Sequence, residues 1–266
     1  MNKVKNGLGY AIPIAVIAFC FVGFLFAPND PQHVDLTAKL LEPCAQYPLG
    51  TNEMGQCLLS RILYGGYTTL SIVLFGSVVV IVVGMLLGLL LGQGKAGRNV
   101  FTESILNAVT AIPPIAYLII FISAWGNSIP TMVVALTVAL TLRMIKLIKS
   151  QTEIEFAKAY VLCAIASGAS RSRVLFVHIV PNLLRETLHF VCLSGGEMIL
   201  SISGFSFIGL SLGDNVIDWG TMVSSARNQV WAHPGLMFWP MLFIFACVVS
   251  FNILGRKLEE GGALHV

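Results

Sequence analysis

The stretch GSVVVIVVGMLLGLLLG, residues 76–92, decides the fold class. It belongs to a longer run, 62–92, that contains no Asp, Glu, Lys or Arg. A helix that crosses the hydrocarbon core of a bilayer needs about 20 apolar residues, so the run predicts a transmembrane helix. Gly84, Gly88 and Gly92 recur every four residues, a spacing that lets two helix backbones approach closely in a membrane. We therefore expect this face of the helix to pack against another helix.

The rest of the chain has the same character. Of its 266 residues 56% are hydrophobic and 11% are charged, whereas a soluble domain carries about 25% charged residues. The apolar runs lack the period-two alternation of a transmembrane β-strand. The sequence therefore predicts an all-α integral membrane protein in which residues 1–266 form one transmembrane domain. Its six predicted spans cover about 8–27, 66–92, 104–125, 129–148, 182–210 and 235–255.

The N-terminal segment has two interpretations. Lys3 and Lys5 before an apolar stretch are also typical of a signal peptide. The stretch is longer than the apolar part of most signal peptides, and it continues into 27–31 (APNDP) without a cleavage pattern of small residues. These features favour an uncleaved first span.

The distribution of Lys and Arg predicts the orientation, because these residues accumulate in cytoplasmic loops. With the N-terminus inside, only Lys39, Arg61 and Arg227 of the 16 Lys and Arg residues lie outside. The net charge of +3 therefore reflects membrane topology and gives no support to a nucleic-acid partner. The prediction places both termini, 93–103 and 143–181 in the cytoplasm, and 28–60 and 214–233 outside.

A cytoplasmic loop at about 150–181 is far longer than most connections. Small and apolar residues predict a helix over 160–167, which Gly168 would end by adopting a left-handed conformation. Ser170 would cap a second helix over 171–180, and Pro181 would stop that helix before the next span. Two functions suit such a pair: an amphipathic element on the lipid surface, or a docking element for a partner protein. The sharply defined turn favours docking.

This loop resembles the cytoplasmic coupling loop of ABC-importer permeases, which reads Glu-Ala-Ala, then a Gly, then a later Ile-x-Pro. Residues 162–164 (Leu-Cys-Ala) stand at the Glu-Ala-Ala position without its acidic residue. The resemblance implies that the loop docks an ATP-hydrolysing subunit. The residues that it assigns to this coupling site are Leu162, Cys163, Ala164, Gly168, Ala169, Ser170, Ile179 and Pro181.

Other segments are similar to the dipeptide, oligopeptide and nickel permeases of the second-subunit type. Residues 47–65 (YPLGTNEMGQCLLSRILYG) resemble the entry signature of that group, with Asn52, Gln56 and Cys57 in place of its usual Asp, Arg and Asp. Three more segments match the same group: 205–212 (FSFIGLSL), 218–227 (DWGTMVSSAR) and 251–260 (FNILGRKLEE).

The resemblance implies a subunit without catalysis or a cofactor of its own. Its partners would be a homologous permease, two ATP-binding subunits that hold ATP and Mg, an extracytoplasmic solute-binding protein and membrane lipid. Its location would be the bacterial plasma (inner) membrane, as a multi-pass protein. The sequence has no Walker A pattern. An intramembrane enzyme has little support, because none of the five His residues forms an i, i+4 pair or an H-E-x-x-H motif, and we predict no catalytic residue.

The cargo is predicted from short segments. Dipeptide members usually carry an acidic residue at the position of Ile202, whereas 196–210 and 233–240 look more like the nickel type. We therefore expect nickel or a metal chelate, with a dipeptide or oligopeptide as the alternative. His189, Cys192 and Met198 form no cluster of ligands, so no metal site is predicted in this chain. A chelated metal or a peptide would need no metal ligands from the protein.

Glu197 marks a candidate translocation path, because a carboxylate inside a span is costly unless it faces a cavity or a partner. A structural position near the membrane edge, or bonded to a neighbouring span, is equally compatible. Paired prolines in the third span would bend that helix, which a membrane tolerates only against protein or a water-filled cavity. The path candidates are Pro113, Pro114, Ser194, Glu197, Met198, Ser201 and Gly204. In the outer loop Cys44 and Cys57 could pair in an oxidising compartment, although nothing in the sequence fixes their geometry.

Overall fold

Ten α-helices account for most of the residues that the computed structural model describes, namely 2–93, 100–210, 212–213 and 216–263. The described residues contain no β-strand; an isolated bridge pairs Thr51 with Cys57. The predicted all-α fold is confirmed. The helices are α1 Asn2–Val22, α2 Leu58–Gln93, α3 Val100–Thr110, α4 Pro114–Trp125, α5 Ile129–Phe156, α6 Ala159–Ala166, α7 Arg171–Arg173, α8 Val180–Phe207, α9 Trp219–Ala226 and α10 Gly235–Ala263.

Five helical segments in the described chain are long and apolar enough to cross a membrane, and α3 with α4 forms a sixth candidate bent by 80°. The bend lies where the paired prolines predict it. Pro113 and Pro114 have no backbone N–H, so the turn before them cannot continue its hydrogen-bond ladder. The hydroxyl of Tyr117 donates to the Val109 carbonyl at 2.8 Å and so connects the two halves across the break.

Several helices extend beyond the apolar runs. Helix α2 begins eight residues before the predicted span, and α5 continues eight residues past it. Hydrophobicity identifies only the part of a helix that suits lipid, whereas the backbone hydrogen bonds can continue into the water on either side. Some residues of the topology prediction lie outside the described residues: Lys95, Arg98, Asp214 and the side chains of Lys3 and Lys5.

The helices group into two compact units. The first holds the residues before Phe75 together with Trp125–Met132 and Gly195–Leu254. Within it, α9 packs on α2 through the fully buried Trp219, whose indole N–H donates to the Ile62 carbonyl at 2.9 Å. A Cβ at Gly66 would lie 2.9 Å from the Trp219 ring, so this contact requires glycine.

The second unit holds Phe75–Ala124, Val133–Ser194 and the residues from Gly255 onward. Within it, the three glycines of α2 lie against α5, as their four-residue spacing predicts. A Cβ at Gly88 or at Gly92 would come within 2.6 Å of the Ile148 Cβ or the Thr152 Cβ, and one at Gly84 would overlap Met144. The α5 residues also recur every four positions, so the two helices touch along one continuous line.

Lys149, near the C-terminal end of α5, carries a charge inside the second unit. Its side chain is buried, and its ammonium lies 2.8 Å from Glu103 and 3.0 Å from Glu153. A buried charge requires such partners. Glu103 comes from α3, so the ion pair joins α3 to α5.

Candidate functional site

The predicted turn at Gly168 is present. Gly168 has a φ of +86°, and it follows α6 directly. The N–H of Gly168 donates to the Ile165 carbonyl and the N–H of Ala169 to the Ala164 carbonyl, both at 3.0 Å. This is the Schellman arrangement, which satisfies the last carbonyls of a helix and needs a left-handed residue at its centre.

The second helix begins where it was predicted but does not end there. The hydroxyl of Ser170 accepts from the Arg173 N–H at 3.3 Å and so caps α7. Pro181, however, lies in the first turn of α8 and does not stop the helix. The segment Val174–Ile179 is a π-helix, in which the Val180 N–H donates to the Leu175 carbonyl. This wider turn shifts the hydrogen-bond register by one residue, which accommodates the missing N–H of Pro181.

Helix α6 presents an apolar surface to solvent. Leu162 and Ile165 are 54% and 46% exposed, and Cys163 between them is also exposed. Among the other residues of the predicted coupling site, Gly168, Ser170 and Pro181 are exposed, Ala164 and Ala169 are half-buried, and Ile179 is buried. Ile179 therefore supports the loop from inside and is not available for docking.

A hydrogen-bond relay, which sequence reasoning missed, attaches α6 to the helices on both sides. The hydroxyl of Tyr160 donates to Glu155 at the end of α5 and accepts from the Asn182 amide of α8 at 2.8 Å. Burial and the hydrogen bond to Glu155 raise the pKa of Tyr160. Lys158 lies 2.6 Å from Glu155. In the sequence, the only sign of this relay is a tyrosine in the first turn of a helix whose other residues are small or apolar.

The predicted path residues of α8 differ in their exposure. Glu197 and Ser201 are half-buried, and the Ser201 hydroxyl donates to the Glu197 carbonyl at 2.8 Å. Ser194 and Met198 are buried. Gly204 opens on an apolar cavity of about 560 Å³ in the first unit.

Helices α8, α9 and α10 line that apolar cavity. Helix α8 contributes Leu200 and Phe207, and α10 contributes Met241 and Phe245. A Cβ at Gly204 would have no neighbour within 4 Å. In the third span, Pro113 is exposed and Pro114 is half-buried.

Within the entry signature, the side chain of Asn52 organises a hydrogen-bonded loop. The amide of Asn52 donates to the Gln56 side chain at 2.8 Å, and its oxygen accepts from the N–H groups of Met54 and Gln56, both at 2.9 Å. Asn52 and Gln56 thus join two of the positions at which this sequence departs from the entry signature that it resembles. Cys57 is a buried free thiol and Cys44 is an exposed one, so no disulfide joins them.

A cavity of about 320 Å³ with a mixed polar and apolar lining lies between this loop, the first turn of α2, α9 and the start of α10. We call it the Arg61 cavity. Glu53 and Arg61 supply the charges of its lining, and Ser224 and Asn228 contribute polar groups from the other side. Sequence reasoning missed it, because its two sides are more than 150 positions apart in the chain.

Asp218 fixes one wall of this cavity. Its side chain, which has no exposed surface, accepts from the N–H groups of Gly220 and Thr221 at 2.8 and 3.1 Å, which completes a capping box at the start of α9. Burial raises the pKa of Asp218, although these hydrogen bonds oppose the shift. Its second oxygen, Oδ2, has no hydrogen-bond partner among the described residues.

Residues 209–213 (GLSLG) match the letters of a G-x-S-x-G motif. A nucleophile elbow connects a strand to a helix, whereas this segment follows helix α8, and Ser211 lies outside the described residues. In the described part of the chain, no three His, Cys, Asp or Glu side chains are grouped so that they could hold a metal ion.

Comparison with known proteins identifies the family of this chain. Residues 81–260 match the family model of the binding-protein-dependent transport system inner membrane component. The nickel transport system permease protein NikC of Escherichia coli (strain K12) is 28% identical over 233 residues, covering 88% of this chain and 84% of that protein. The probable D,D-dipeptide transport system permease protein DdpC of the same strain is 30% identical over 252 residues, covering 92% and 84%.

A third relative comes from another organism. The di/tripeptide transport system permease protein DppC of Pseudomonas aeruginosa (strain UCBPP-PA14) is 27% identical over 264 residues, covering 96% of this chain and 87% of that protein. The family match extends over more than half of the chain, and the relatives match nearly all of it. The chain therefore belongs to the binding-protein-dependent inner membrane component family and is an ABC-importer permease of the nickel and peptide group.

Proposed function

We propose that this permease forms the translocation path of an importer together with a homologous permease and couples that path to two ATP-binding subunits. An extracytoplasmic solute-binding protein delivers the cargo. The chain binds no cofactor, because ATP and Mg belong to the partner subunits. Both of its termini lie in the cytoplasm, in agreement with the distribution of Lys and Arg.

The observation that carries this proposal is the construction of α6. Leu162, Cys163 and Ile165 offer an exposed apolar face on a helix of eight residues. An apolar helix face of this kind suits a groove on a partner protein. The Schellman turn at Gly168 fixes one end of the helix, and the relay through Tyr160 connects it to α5 and α8. A movement of the docked subunit would therefore pass directly into two spanning helices.

The cargo that we propose first is nickel or a metal chelate. The nickel permease of E. coli is among the relatives, and the segments 196–210 and 233–240 resemble the nickel type. A short peptide is the second candidate, because the other relatives are named for peptides and the Arg61 cavity carries both charges of a zwitterion. Uptake of labelled nickel, free and chelated, compared with uptake of a labelled dipeptide, separates the two.

The coupling role is tested by co-purification and ATP hydrolysis. A tagged chain should bring down a sister permease and two ATP-binding subunits. Gly168→Val places a β-branched residue at a φ of +86°, which L-residues rarely adopt, so the docking turn should distort. Stimulation of ATP hydrolysis by cargo-loaded binding protein should then be lost, although the complex still forms.

Gly126→Val is the matched control. Gly126 also has a left-handed φ, +80°, and a Cβ added at either glycine would have no neighbour within 4 Å. It lies in the turn between α4 and α5 and is not part of the coupling loop. Stimulation should persist in this variant. Normal stimulation in Gly168→Val, or no ATP-binding subunit in the purified complex, would contradict the proposed function.

A further inference from the structure

The Arg61 cavity has no part in the coupling mechanism, yet it is built like a ligand site. Its volume of about 320 Å³ lies at the lower end of the range for small-molecule pockets. Its lining comes from 52–61, from α9 and the residues after it, and from α10, all in the first unit. The Lys and Arg distribution assigns these segments to the outer side of the membrane. Cargo arriving from outside would meet this cavity first.

Arg61 is held in position by its neighbours. Its guanidinium donates to the Pro31 carbonyl at 3.1 Å, and the other donors of the five-donor fork remain for a ligand. The carbonyl of the next residue, Ile62, accepts the Trp219 indole N–H, so the backbone under Arg61 is fixed to α9. An arginine fork pre-oriented in this way matches the two oxygens of a carboxylate.

Glu53 supplies the opposite charge. It is half-buried, and its carboxylate has no hydrogen bond or ion pair with the described residues. The loop that carries it is fixed by Asn52, which accepts from the N–H groups on both sides of Gly55, at Met54 and Gln56. Because Asn52 and Gln56 are neutral, they do not compete with Glu53 for a cationic ligand. A positioned carboxylate without a partner suits an ammonium group.

Apolar walls complete the cavity. Leu58, Met222 and Leu236 line it and are almost fully buried. A bare metal cation would meet the positive charge of Arg61. A metal chelate of an amino acid would have no ammonium for Glu53, because its amino nitrogen is bound to the metal. A molecule with a free carboxylate, a free ammonium and a small apolar body satisfies all three parts of the lining.

We propose that the Arg61 cavity binds a small zwitterion, a free amino acid or a short peptide, with the carboxylate on Arg61 and the ammonium near Glu53. This inference rests on the proposed function as an importer permease, and of the two proposed cargoes it favours the second, the short peptide. A free amino acid and a short peptide differ in length, so binding of L-alanine compared with L-alanyl-L-alanine distinguishes these two ligands.

Binding is measured on the purified importer in nanodiscs, without ATP and without the solute-binding protein. The probes are tritiated L-alanine and tritiated L-alanyl-L-alanine, with propionate, ethylamine and the nickel–histidine complex as competitors. We expect at least one probe to bind, and each single-charge competitor to displace it far more weakly than the unlabelled zwitterion. Arg61→Gln and Glu53→Gln should each raise the Kd at least tenfold.

Arg227→Gln and Glu42→Gln are the controls, because both residues are exposed and neither lines the cavity. They should leave the Kd unchanged. If the importer does not assemble with Arg61→Gln, the Kd of the Glu53→Gln variant alone decides the test. The inference is overturned by absence of binding of both probes, by unchanged Kd values in the Arg61 and Glu53 variants, or by displacement with nickel–histidine as effective as with the zwitterion.

The proposed function is judged separately, by cargo-stimulated ATP hydrolysis of the same preparations. Intact stimulation without zwitterion binding would overturn this inference alone. Loss of stimulation by the binding protein in the Arg61 and Glu53 variants, with unchanged Kd for both probes, would assign the cavity to protein docking and likewise overturn it.

Discussion

Gly88 of α2 and Ile148 of α5 are in direct backbone-to-side-chain contact: a Cβ at position 88 would lie 2.6 Å from the Ile148 Cβ. Gly92 makes the equivalent contact with Thr152 one turn further on. Lipid chains are as apolar as the helix surfaces, so membrane helices associate mainly through close packing. This row of contacts therefore fixes α2 on α5 within the second unit.

Gly88→Ala should weaken this packing. Cβ atoms cannot yield as the ends of flexible side chains do, so we expect a destabilisation of about 1–3 kcal/mol, the usual range for overpacking. Thermal unfolding of the purified permease measures it. Gly204→Ala is the control, because a Cβ there has no neighbour within 4 Å; it should be neutral or slightly stabilising. Equal melting temperatures for the two variants would contradict the packing argument.

Tyr160→Phe should uncouple α6 from its neighbours without changing its shape. The variant loses the hydroxyl that connects Glu155 with Asn182. We expect cargo-stimulated ATP hydrolysis to fall several-fold while the importer still assembles. Tyr64→Phe is the control, because the Tyr64 hydroxyl has no hydrogen-bond partner among the described residues. Full stimulation in Tyr160→Phe would show that α6 transmits motion without the relay.

Asp218 should make stability depend on pH. Because burial raises its pKa in the folded state, the folded protein binds its proton more tightly than the unfolded chain. Stability is therefore highest below the ordinary Asp pKa of about 3.9 and falls as the pH rises through the raised value. The charge of Arg61 interacts with Asp218 and offsets part of this effect.

Two substitutions separate the charge of Asp218 from its capping role. Asp218→Asn keeps an oxygen for the Gly220 and Thr221 N–H groups, so its stability relative to the original protein should be greater at pH 8 than at pH 5. Asp218→Ala removes the cap and should lose about 1 kcal/mol. Melting temperatures at both pH values test this, and an Asn variant as unstable as the Ala variant would refute it.

Glu197→Gln keeps the shape of the side chain and removes its charge. If Glu197 faces the path, uptake of labelled Ni²⁺ should fall several-fold, while assembly and basal ATP hydrolysis stay near normal. Glu186→Gln on the same helix, nearer its N-terminal end, is the control and should leave uptake unchanged. Unchanged uptake in Glu197→Gln would make the carboxylate a structural group.

Labelling of two native cysteines can test the predicted orientation of the chain in the membrane. Cys44 and Cys163 are both exposed; the charge distribution places the first outside and the second in the cytoplasm. A membrane-impermeant maleimide should label Cys44 on spheroplasts, and Cys163 only after the membrane is dissolved in SDS. Cys44→Ser and Cys163→Ser identify the labelled residue. Labelling of Cys163 before solubilisation would reverse the topology.

The sequence by itself determined the features that depend on neighbouring residues. Apolar length predicted the helices, because lipid requires every backbone group to be satisfied within a helix. The four-residue spacing of Gly84, Gly88 and Gly92 predicted a packed face, and the paired prolines predicted the 80° bend. Gly168 predicted its turn, because few other residues adopt a left-handed conformation.

The tertiary structure alone decided the features that join distant residues. The π-helical turn Val174–Ile179 carries the helix through Pro181, although proline in isolation predicts a stop. Lys149 is buried because Glu103, 46 positions away, reaches it. The Arg61 cavity lies between segments of α2 and α9, two helices that the Trp219 indole joins through its hydrogen bond to the Ile62 carbonyl, 157 positions away. Local patterns carry no information about such partners, since the fold alone brings them within reach of one another.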